Sequence, residues 1–233
     1  MKTHYVEAAI VAAGLIVMGW FLKMGLDAFS SADRIVTVKG LAETEVMANK
    51  VTWPLTFKEV GNDMSVLYKN IKEKSDAIVR FLNEKGIDDE EISVNAPEIF
   101  DMQAERYNSS PITYRYNVTV LITVTSTKVE SVRELMREQS ELLRQGIAIT
   151  GGDYRYNVEY SYTSLNEIKP QMIEEATKNA RAAAEKFAKD SGSKLGKIKR
   201  ATQGQFSIED RDANTPYIKH VRVVTTVDYT LEN

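Results

Sequence analysis

The stretch from Tyr160 to Phe206 constrains the fold of this chain more than any other, because it sets the order of three elements. A tyrosine-rich segment with period-two alternation leads into a long helical segment, and a further apolar segment follows a turn. Ser164 and Glu167 have the spacing of a capping box, which begins a helix, and Gly192 has the position of a helix C-terminus. The stretch therefore predicts a strand, a helix and a second strand, in that order.

One face of the predicted helix consists mainly of small side chains at helical spacing. This face comprises Ala176, Ala180, Ala183, Ala184 and Phe187. Two patterns lie near the ends of the chain. The C-terminal pattern is the run Ala180–Ala188, followed by Gly192 and by Leu195–Ile198. The opening pattern is Val36–Gly40, followed by Glu43, Val46, Ala48, Asn49 and Val51. Both patterns resemble signatures of the SIMPL-domain (DUF541) family. Together the matches extend from about Ile35 to Leu231.

The resemblance implies where the protein is located and how it assembles. Members of the family include a bacterial oxidative-stress-defence protein and a periplasmic immunogen, and relatives of the latter are associated with ring-like or channel-like homo-oligomers. The resemblance therefore implies an exported, self-assembling protein with a role in envelope or oxidative-stress maintenance. It implies no reaction and no cofactor.

Composition narrows the choice of partners. The chain has 233 residues, 43% of them hydrophobic, which is enough for a substantial core. Its 30 basic residues are balanced by 33 acidic ones. Lys197, Lys199 and Arg200 form only a short basic cluster, whereas a nucleic-acid-binding domain carries a basic excess or stripe. We expect no nucleic-acid partner.

The N-terminal segment differs in kind from the rest of the chain. Residues 8–22 carry no charge and are flanked by Lys2 and Glu7 on one side and by Lys23 on the other. This pattern predicts a hydrophobic helix over residues 1–29 that acts as an uncleaved signal anchor, followed by a linker at residues 30–34. With Lys2 on the cytoplasmic side, residues 35–233 would face the periplasm of a single-pass inner-membrane protein.

Two further features bear on export. Ser30, Ser31 and Ala32 are an acceptable cleavage site, so secretion to the periplasm after signal cleavage is the alternative. The chain contains no cysteine, which excludes lipoprotein attachment and every thiol-based reaction or metal site.

The remaining elements alternate between strand and helix patterns. Predicted strands lie at 36–39, 50–60, 92–99, 113–125, 153–163, 197–208 and 217–231, and predicted helices at 64–85 and 127–146. Gly86-Ile87 and Gly146-Ile147 recur at equivalent places, which suggests two related αβ lobes. The pattern predicts an α+β fold of mainly antiparallel sheets with helices packed on one face. Pro54 removes a ladder donor, so its strand should be an edge strand or carry a bulge there.

The sequence offers few groups for catalysis or metal binding. Histidine occurs only at His4 and His220, and there is no phosphate-binding glycine loop. The acidic runs 88–91 and 209–212 lack calcium-loop spacing, and we interpret them as solvated loops. No catalytic, cofactor-binding or metal residue is predicted.

Tyrosines on the apolar parity of two predicted strands are the remaining unusual feature. They are Tyr114, Tyr116, Tyr154, Tyr156, Tyr160 and Tyr162. We interpret them as core packing at the sheet margin, with a carbohydrate or peptide platform as the alternative.

Three hypotheses for function follow from these patterns. The leading one is a non-enzymatic, membrane-tethered periplasmic domain that forms homo-oligomers. The second is a hydrolase of an envelope polymer that uses acids such as Glu98, Asp101 or Glu105. The third is a module whose exposed sheet edge near residues 50–60 captures an extended peptide.

Overall fold

The computed structural model of the protein describes residues 2–31, 34–104, 113–150 and 155–232. Its helices are α1 (Lys2–Ser31), α2 (Met64–Glu84), α3 (Val129–Glu138), α4 (Ser140–Arg144) and α5 (Leu165–Asp190), with a 3-10 turn at Asp89–Glu91. Its strands are β1 (Ile35–Met47), β2 (Lys50–Gly61), β3 (Ile92–Val94), β4 (Glu98–Asp101), β5 (Tyr116–Ser126), β6 (Glu159–Ser161), β7 (Lys194–Gln203), β8 (Ser207–Asp210) and β9 (Ile218–Glu232). The predicted α+β class is confirmed.

The chain divides into two compact units. The first unit comprises Met1–Thr44, Asn166–Ile208 and His220–Asn233. The second unit comprises Glu45–Leu165 and Glu209–Lys219.

The second unit contains an antiparallel sheet covered by α2 and α3. Its strand order is β3-β5-β2-β6, and β4 also pairs with β5. Strand β2 forms as predicted, and every second residue of it is buried, from Val51 through Trp53 and Leu55 to Phe57. These side chains pack with the alternate valines and isoleucine of β5 and with Ile78 and Leu82 of α2. One large apolar core results.

Helix α2 forms as the sequence predicts, because both of its ends carry local signals. The Asp63 carboxylate accepts hydrogen bonds from the backbone N–H groups of Ser65 at 2.7 Å and Val66 at 3.2 Å. At the other end Gly86 has a φ of 89°, a left-handed conformation that glycine adopts without steric cost.

The prediction for Pro54 holds only locally. Strand β5 pairs with β2 along residues 51–61, so β2 is not an edge strand of the sheet. On its other side β2 pairs with β6 only at residues 50–52 and bridges Ile149 at Phe57. Pro54 lies between these two contacts, where a missing N–H donor costs no ladder hydrogen bond on that side.

The first unit contains a second sheet with the order β1-β9-β7, and β8 also pairs with β9. Helix α5 buries a ridge of alanines spaced by four residues: Ala176, Ala180, Ala184 and Ala188. Phe187, predicted on this face, is instead 61% exposed. The row begins at the buried Met172, and from Ala176 onward it consists of alanines only.

The alanine ridge permits an unusually close approach of helix and strand. A Cβ atom placed on Gly40 of β1 would lie 1.9 Å from the Ala176 carbonyl oxygen and 2.4 Å from the Ala180 nitrogen. The close contact therefore requires glycine at position 40 together with alanine at positions 176 and 180.

Several predicted elements are shorter or divided. The predicted strand 92–99 becomes β3 and β4, the strand 197–208 becomes β7 and β8, and the helix 127–146 becomes α3 and α4. The predicted helix start at residue 127 is two residues early, since α3 begins at Val129 after Lys128, which makes no side-chain cap. Of the predicted strand 153–163 only β6 forms within the described residues.

The N-terminal segment is helical, as predicted. Where its side chains are described, at position 8 and from Ile10 to Leu26, all are exposed. Among the described residues, no helix combines the length and the apolarity needed to cross a membrane, so the predicted single-pass anchor is not supported.

Candidate functional site: a sheet edge and an apolar groove

An apolar groove lies in the second unit, between α2 and the edge strands β3 and β4. Its volume is about 420 Å³, within the roughly 300–1,000 Å³ typical of ligand pockets. Eight of its lining residues are apolar: Met64, Tyr68, Ile71, Val94, Pro97, Ile99, Val118 and Val120. The polar ones are Lys72, Ser75, Asp76 and Asn95.

The groove exists because the apolar face of the sheet extends further than the helix that covers it. Val94 pairs with Ile122 and Ile99 with Val118, which places both on the core face of the sheet. Val118 is buried, yet Val94 remains 52% and Ile99 54% exposed. These two side chains on the core face of the edge strands thus stay about half open to solvent.

The register of the edge strands explains the shape of this opening. Val94 lies opposite Ile122, and Glu98 lies opposite Thr119. The edge therefore advances by four residues where β5 advances by only three. The extra residue is accommodated around Pro97, which has no N–H to donate. The edge is consequently divided into one segment of three and one of four residues.

A second open surface belongs to the sheet of the first unit. Eight of the ten residues of β7 are exposed and two are half-buried. Ile198, which pairs with Tyr229 of β9, is 53% exposed although it lies on the face that α5 covers elsewhere. Strand β7 therefore presents one edge and most of both faces to solvent.

Strand β1 ends the described part of this sheet on the opposite side. Its buried residues Val38, Gly40 and Ala42 alternate with exposed ones. The Thr37 hydroxyl donates a hydrogen bond of 2.7 Å to the Asp228 carboxylate across the outer face. The predicted polar, outward-looking sheet face is present here.

The acids considered for a hydrolase do not form a catalytic pair among the described residues. Asp101 accepts hydrogen bonds from the Arg115 guanidinium at 2.8–3.2 Å and from two backbone N–H groups of the turn that follows. The Arg115 guanidinium holds the pKa of Asp101 below its usual range. Glu98 accepts from the Tyr156 hydroxyl at 3.4 Å, and Glu105 lies outside the described residues.

The acidic run at residues 88–91 is bound by a lysine and is more than a solvated loop. The Lys128 ammonium lies 2.7 Å from Asp88 and 3.0 Å from Glu91, and it also donates to the Gly86 carbonyl. Partial burial opposes ionisation of Glu91, but hydrogen bonds from Ser126, the Asp88 N–H and Lys128 hold its pKa below the usual range.

The acidic run at residues 209–212 has the same character. Asp210 forms an ion pair with Lys219, whose side chain is almost fully buried. Asp212 accepts hydrogen bonds from the Thr215 hydroxyl, from two backbone N–H groups and from Arg211, which lower its pKa to about 2. Both acidic runs stabilise turns, and the described residues contain no cluster suited to a metal ion.

The tyrosines divide between core and surface. Tyr116 and Tyr160 pack against the core of the second unit, as predicted, and burial raises the pKa of Tyr160. Tyr114 is half-exposed, and Tyr154 lies outside the described residues. Tyr160 also makes an edge-to-face contact with Tyr217, on whose ring the Arg133 guanidinium lies at 3.4 Å. This cluster is packed and offers no open platform.

The histidines contribute no site. His220 is half-buried in β9 and occupies the first unit without a second histidine nearby among the described residues. His4 lies in α1.

Sequence reasoning missed the groove, because its residues belong to four elements that sequence alone cannot bring together. One signal is present in the sequence: the turn formers Asn95 and Pro97 interrupt the predicted strand 92–99.

Comparison with known proteins identifies a family. No curated protein matches the chain. The sequence profile of the family described as SIMPL, protein of unknown function (DUF541), matches residues 36–229. This match covers both sheets and most of the chain, so the protein belongs to the SIMPL (DUF541) family.

Proposed function

We propose that this protein is a non-enzymatic SIMPL-domain protein that self-assembles through the two edges of the sheet in its first unit. The observation that carries the proposal is the exposure of β7, a ten-residue strand with almost no covered face, whose outer edge pairs with no strand in the part of the chain that the structure describes. Long open edges of this kind template pairing with another chain. A second copy that adds a strand would also cover the exposed Ile198.

Charge favours a head-to-tail arrangement, in which β7 of one copy pairs with β1 of the next. Two β7 edges facing each other would place Lys197 and Arg200 of one copy against the same residues of the other, and opposed like charges destabilise strand pairs. Strand β1 carries two acids, Glu43 and Glu45, and one base, Lys39. A head-to-tail contact produces a ring when its rotation closes and a filament when it does not.

Mass measurement of the full-length protein tests this assembly. Ile198→Glu puts a charge at the proposed contact and should reduce a multimer to a monomer. Val66→Glu is the matched control, because Val66 is 54% exposed on α2 in the other unit. A monomeric wild-type protein, or equal effects of the two substitutions, contradicts the proposal.

The second part of the proposal concerns location. Helix α1 exposes large apolar side chains all around its axis, among them Leu15, Ile16, Trp20 and Phe21 at 60–70%. A helix that is apolar all around is normally buried in a core or a membrane. We place α1 in the bilayer as a tether, with the SIMPL domain in the periplasm. Insertion of α1 into one face of the bilayer provides such a tether without a full crossing.

Cell fractionation tests the tether. Wild-type protein should sediment with membranes after carbonate washing, and the double substitution Ile16→Lys and Phe21→Lys should release it. Val60→Lys, on the half-exposed end of β2, is the control. Recovery of the wild-type protein in the soluble cytoplasmic fraction contradicts the tether and the periplasmic location together.

Tethering and assembly support each other, since confinement to a surface raises the effective concentration of the binding edges. The family resemblance extends the proposal to envelope or oxidative-stress maintenance. Deletion of the gene should sensitise cells to peroxide or envelope stress, and the Ile198→Glu protein should fail to restore resistance while Val66→Glu protein succeeds.

A further inference from the structure

We propose that helix α5 takes part in the contact between copies, with the Phe187 ring of one copy covering Ile198 of the next in a parallel pairing of β1 with β7. This contact rests on the self-assembly proposed above and adds the direction and the register of the paired strands. Phe187 is 61% and Ile198 53% exposed, so each copy leaves both apolar side chains open to a neighbour.

The two outer strands of the described sheet in the first unit run in the same direction. Strand β7 pairs antiparallel with β9. Strand β1 is also antiparallel to β9, because the Leu231 N–H donates to the Arg34 carbonyl and the Ala48 N–H donates to the Tyr217 carbonyl, both at 2.8 Å. A neighbour that extends the sheet with its α5 on the same side therefore places β1 parallel to β7.

The regular part of β7 and the first half of β1 lie at the same level of the sheet. The register of β7 against β9 shifts on both sides of Ile198 and is regular over Arg200–Gln203. Arg200 pairs with Asp228, and the Thr37 hydroxyl donates to the Asp228 carboxylate from the other side. A parallel neighbour can therefore pair its residues 37–40 with residues 200–203 without any stagger.

A side chain of α5 marks where the open edge of β1 ends. Backbone groups along an antiparallel strand alternate between facing the partner strand and facing away from it. The Arg34 carbonyl faces β9, so the Leu41 carbonyl, an odd number of residues further on, points to the open edge. The Asn179 amide donates a hydrogen bond of 2.8 Å to this Leu41 carbonyl. Helix α5 thus reaches the outer edge of β1, and residues 35–40 remain for a neighbour.

Phe187 lies on the side of α5 that faces this open edge. Asn179, Ala183 and Phe187 form one row along the helix, because residues four apart lie on the same side. Asn179 binds the edge of β1, and Ala183 packs against the apolar cluster that contains Val38. Phe187 continues the row one turn further, toward the beginning of β1. Its exposed ring is therefore placed where a neighbouring β7 would arrive.

Ile198 supplies the matching apolar surface on that neighbour. It pairs with Tyr229, which belongs to the apolar cluster under α5, so Ile198 lies on the same face of the sheet as Phe187. In the unstaggered pairing Ile198 comes beside Val36, at the end of β1 toward which the row of Phe187 runs. Mutual burial of the two side chains removes apolar surface of both from water, at about 25 cal/mol per Å².

Charge selects a second copy as the occupant of the β7 edge. Strand β7 carries four basic residues and no acid: Lys194, Lys197, Lys199 and Arg200. Strand β1 carries two acids and one base. A neighbouring β1 therefore brings net negative charge to a basic edge, whereas a second β7 would bring like charges together.

Cross-linking of single-cysteine variants tests the contact, because the chain has no cysteine of its own. Full-length Phe187→Cys and Ile198→Cys proteins, mixed in equal amounts and treated with a short bismaleimide, should give a heterodimer on a denaturing gel. Neither variant alone should give a dimer. Val66→Cys is the matched control for Phe187→Cys, since Val66 is 54% exposed in the second unit, and it should not cross-link to Ile198→Cys.

A charge exchange tests whether the two side chains meet. Ile198→Glu and Phe187→Lys should each weaken association of the full-length protein about tenfold or more, because each places an unpaired charge in an apolar contact. The protein with both substitutions should associate about fivefold more tightly than Ile198→Glu alone, since the new charges attract. Ile198→Glu combined with Val66→Lys has the same net charge and should show no recovery. Sedimentation equilibrium measures all four proteins.

The outcomes separate this contact from the assembly on which it rests. The heterodimer and the recovery by charge exchange support the docking of α5 on β7. A multimeric wild-type protein that shows neither result overturns this docking and leaves assembly through the sheet edges standing. Dimers of Ile198→Cys alone overturn the parallel pairing, because they indicate β7 against β7. A monomeric wild-type protein overturns the contact and the assembly together.

Discussion

The two units bury their helices in opposite ways. In the second unit, α2 packs through large side chains such as Phe81 and Leu82 onto Trp53 and Phe57 of the sheet. In the first unit, α5 packs through alanines, so that its backbone approaches Gly40 directly. The first arrangement draws its stability from buried apolar area, the second from close fit. The two units should therefore respond to opposite kinds of substitution.

The largest expected effect is in the core of the second unit. Phe57 is 1% exposed, and Phe57→Ala should destabilise the protein by about 3–5 kcal/mol through lost burial and a cavity. Denaturant unfolding followed by the fluorescence of Trp53 measures it. Phe187→Ala, on the exposed face of α5, should change stability by less than about 0.5 kcal/mol. Similar losses at both sites would refute the assignment of the two faces.

A slightly smaller effect is expected where the helix meets Gly40. Gly40→Ala adds one carbon atom within 2.8 Å of three atoms of Ala176 and Ala180, two of them backbone. Overpacking of this kind should cost about 3 kcal/mol, the upper part of its usual range. Gly25→Ala in α1, which has no heavy atom within 4 Å, is the control and should be neutral in thermal unfolding. A tolerated Gly40→Ala would show that the helix can move away from the strand.

The third prediction concerns how α2 begins. Asp63→Ala removes a side chain that accepts two backbone hydrogen bonds and should cost about 1 kcal/mol of unfolding free energy. Asp76→Ala, later on the same helix, removes a carboxylate that caps nothing and should cost much less. Chemical denaturation of both variants distinguishes a capping effect from a general effect of charge.

The smallest effect is expected at acid pH, in a turn of the second unit. The pKa of Asp212 is lowered from 3.8 to about 2 in the folded protein. A carboxyl with a lowered folded-state pKa stabilises above its unfolded pKa, and this contribution is lost as pH falls from about 4 to 2. Asp212→Asn should therefore lower the melting temperature at pH 6 and converge with wild type near pH 2. If the melting temperatures of the two proteins differ by the same amount at pH 6 and at pH 2, the pKa of Asp212 is not lowered in the folded protein.

Local signals made much of the fold predictable from sequence. Period-two burial in β2, the Asp63 cap with Gly86 at the end of α2, and the alanine ridge of α5 all depend on neighbouring residues. The α+β class followed from the alternation of these patterns.

Non-local pairing set the features that could not be predicted. The interior position of β2 depends on β5 and β6, which lie far away in the chain. The groove depends on the register of β3 and β4 against β5, which shifts by one residue around Pro97. The exposure of Phe187 depends on where the backbone of α5 meets β1. None of these relations leaves a local pattern.

Cross-linking across the sheet edges tests the proposed assembly most directly, because the chain has no cysteine of its own. Lys39 of β1 and Thr202 of β7 are exposed at opposite edges of the first unit's sheet, and Thr202 pairs with Thr226 of β9. With a flexible bismaleimide, the double variant Lys39→Cys and Thr202→Cys should form a ladder of multimers, whereas each single variant should remain monomeric on a denaturing gel. Dimers from Thr202→Cys alone, or no ladder from the double variant, would contradict head-to-tail assembly through β1 and β7.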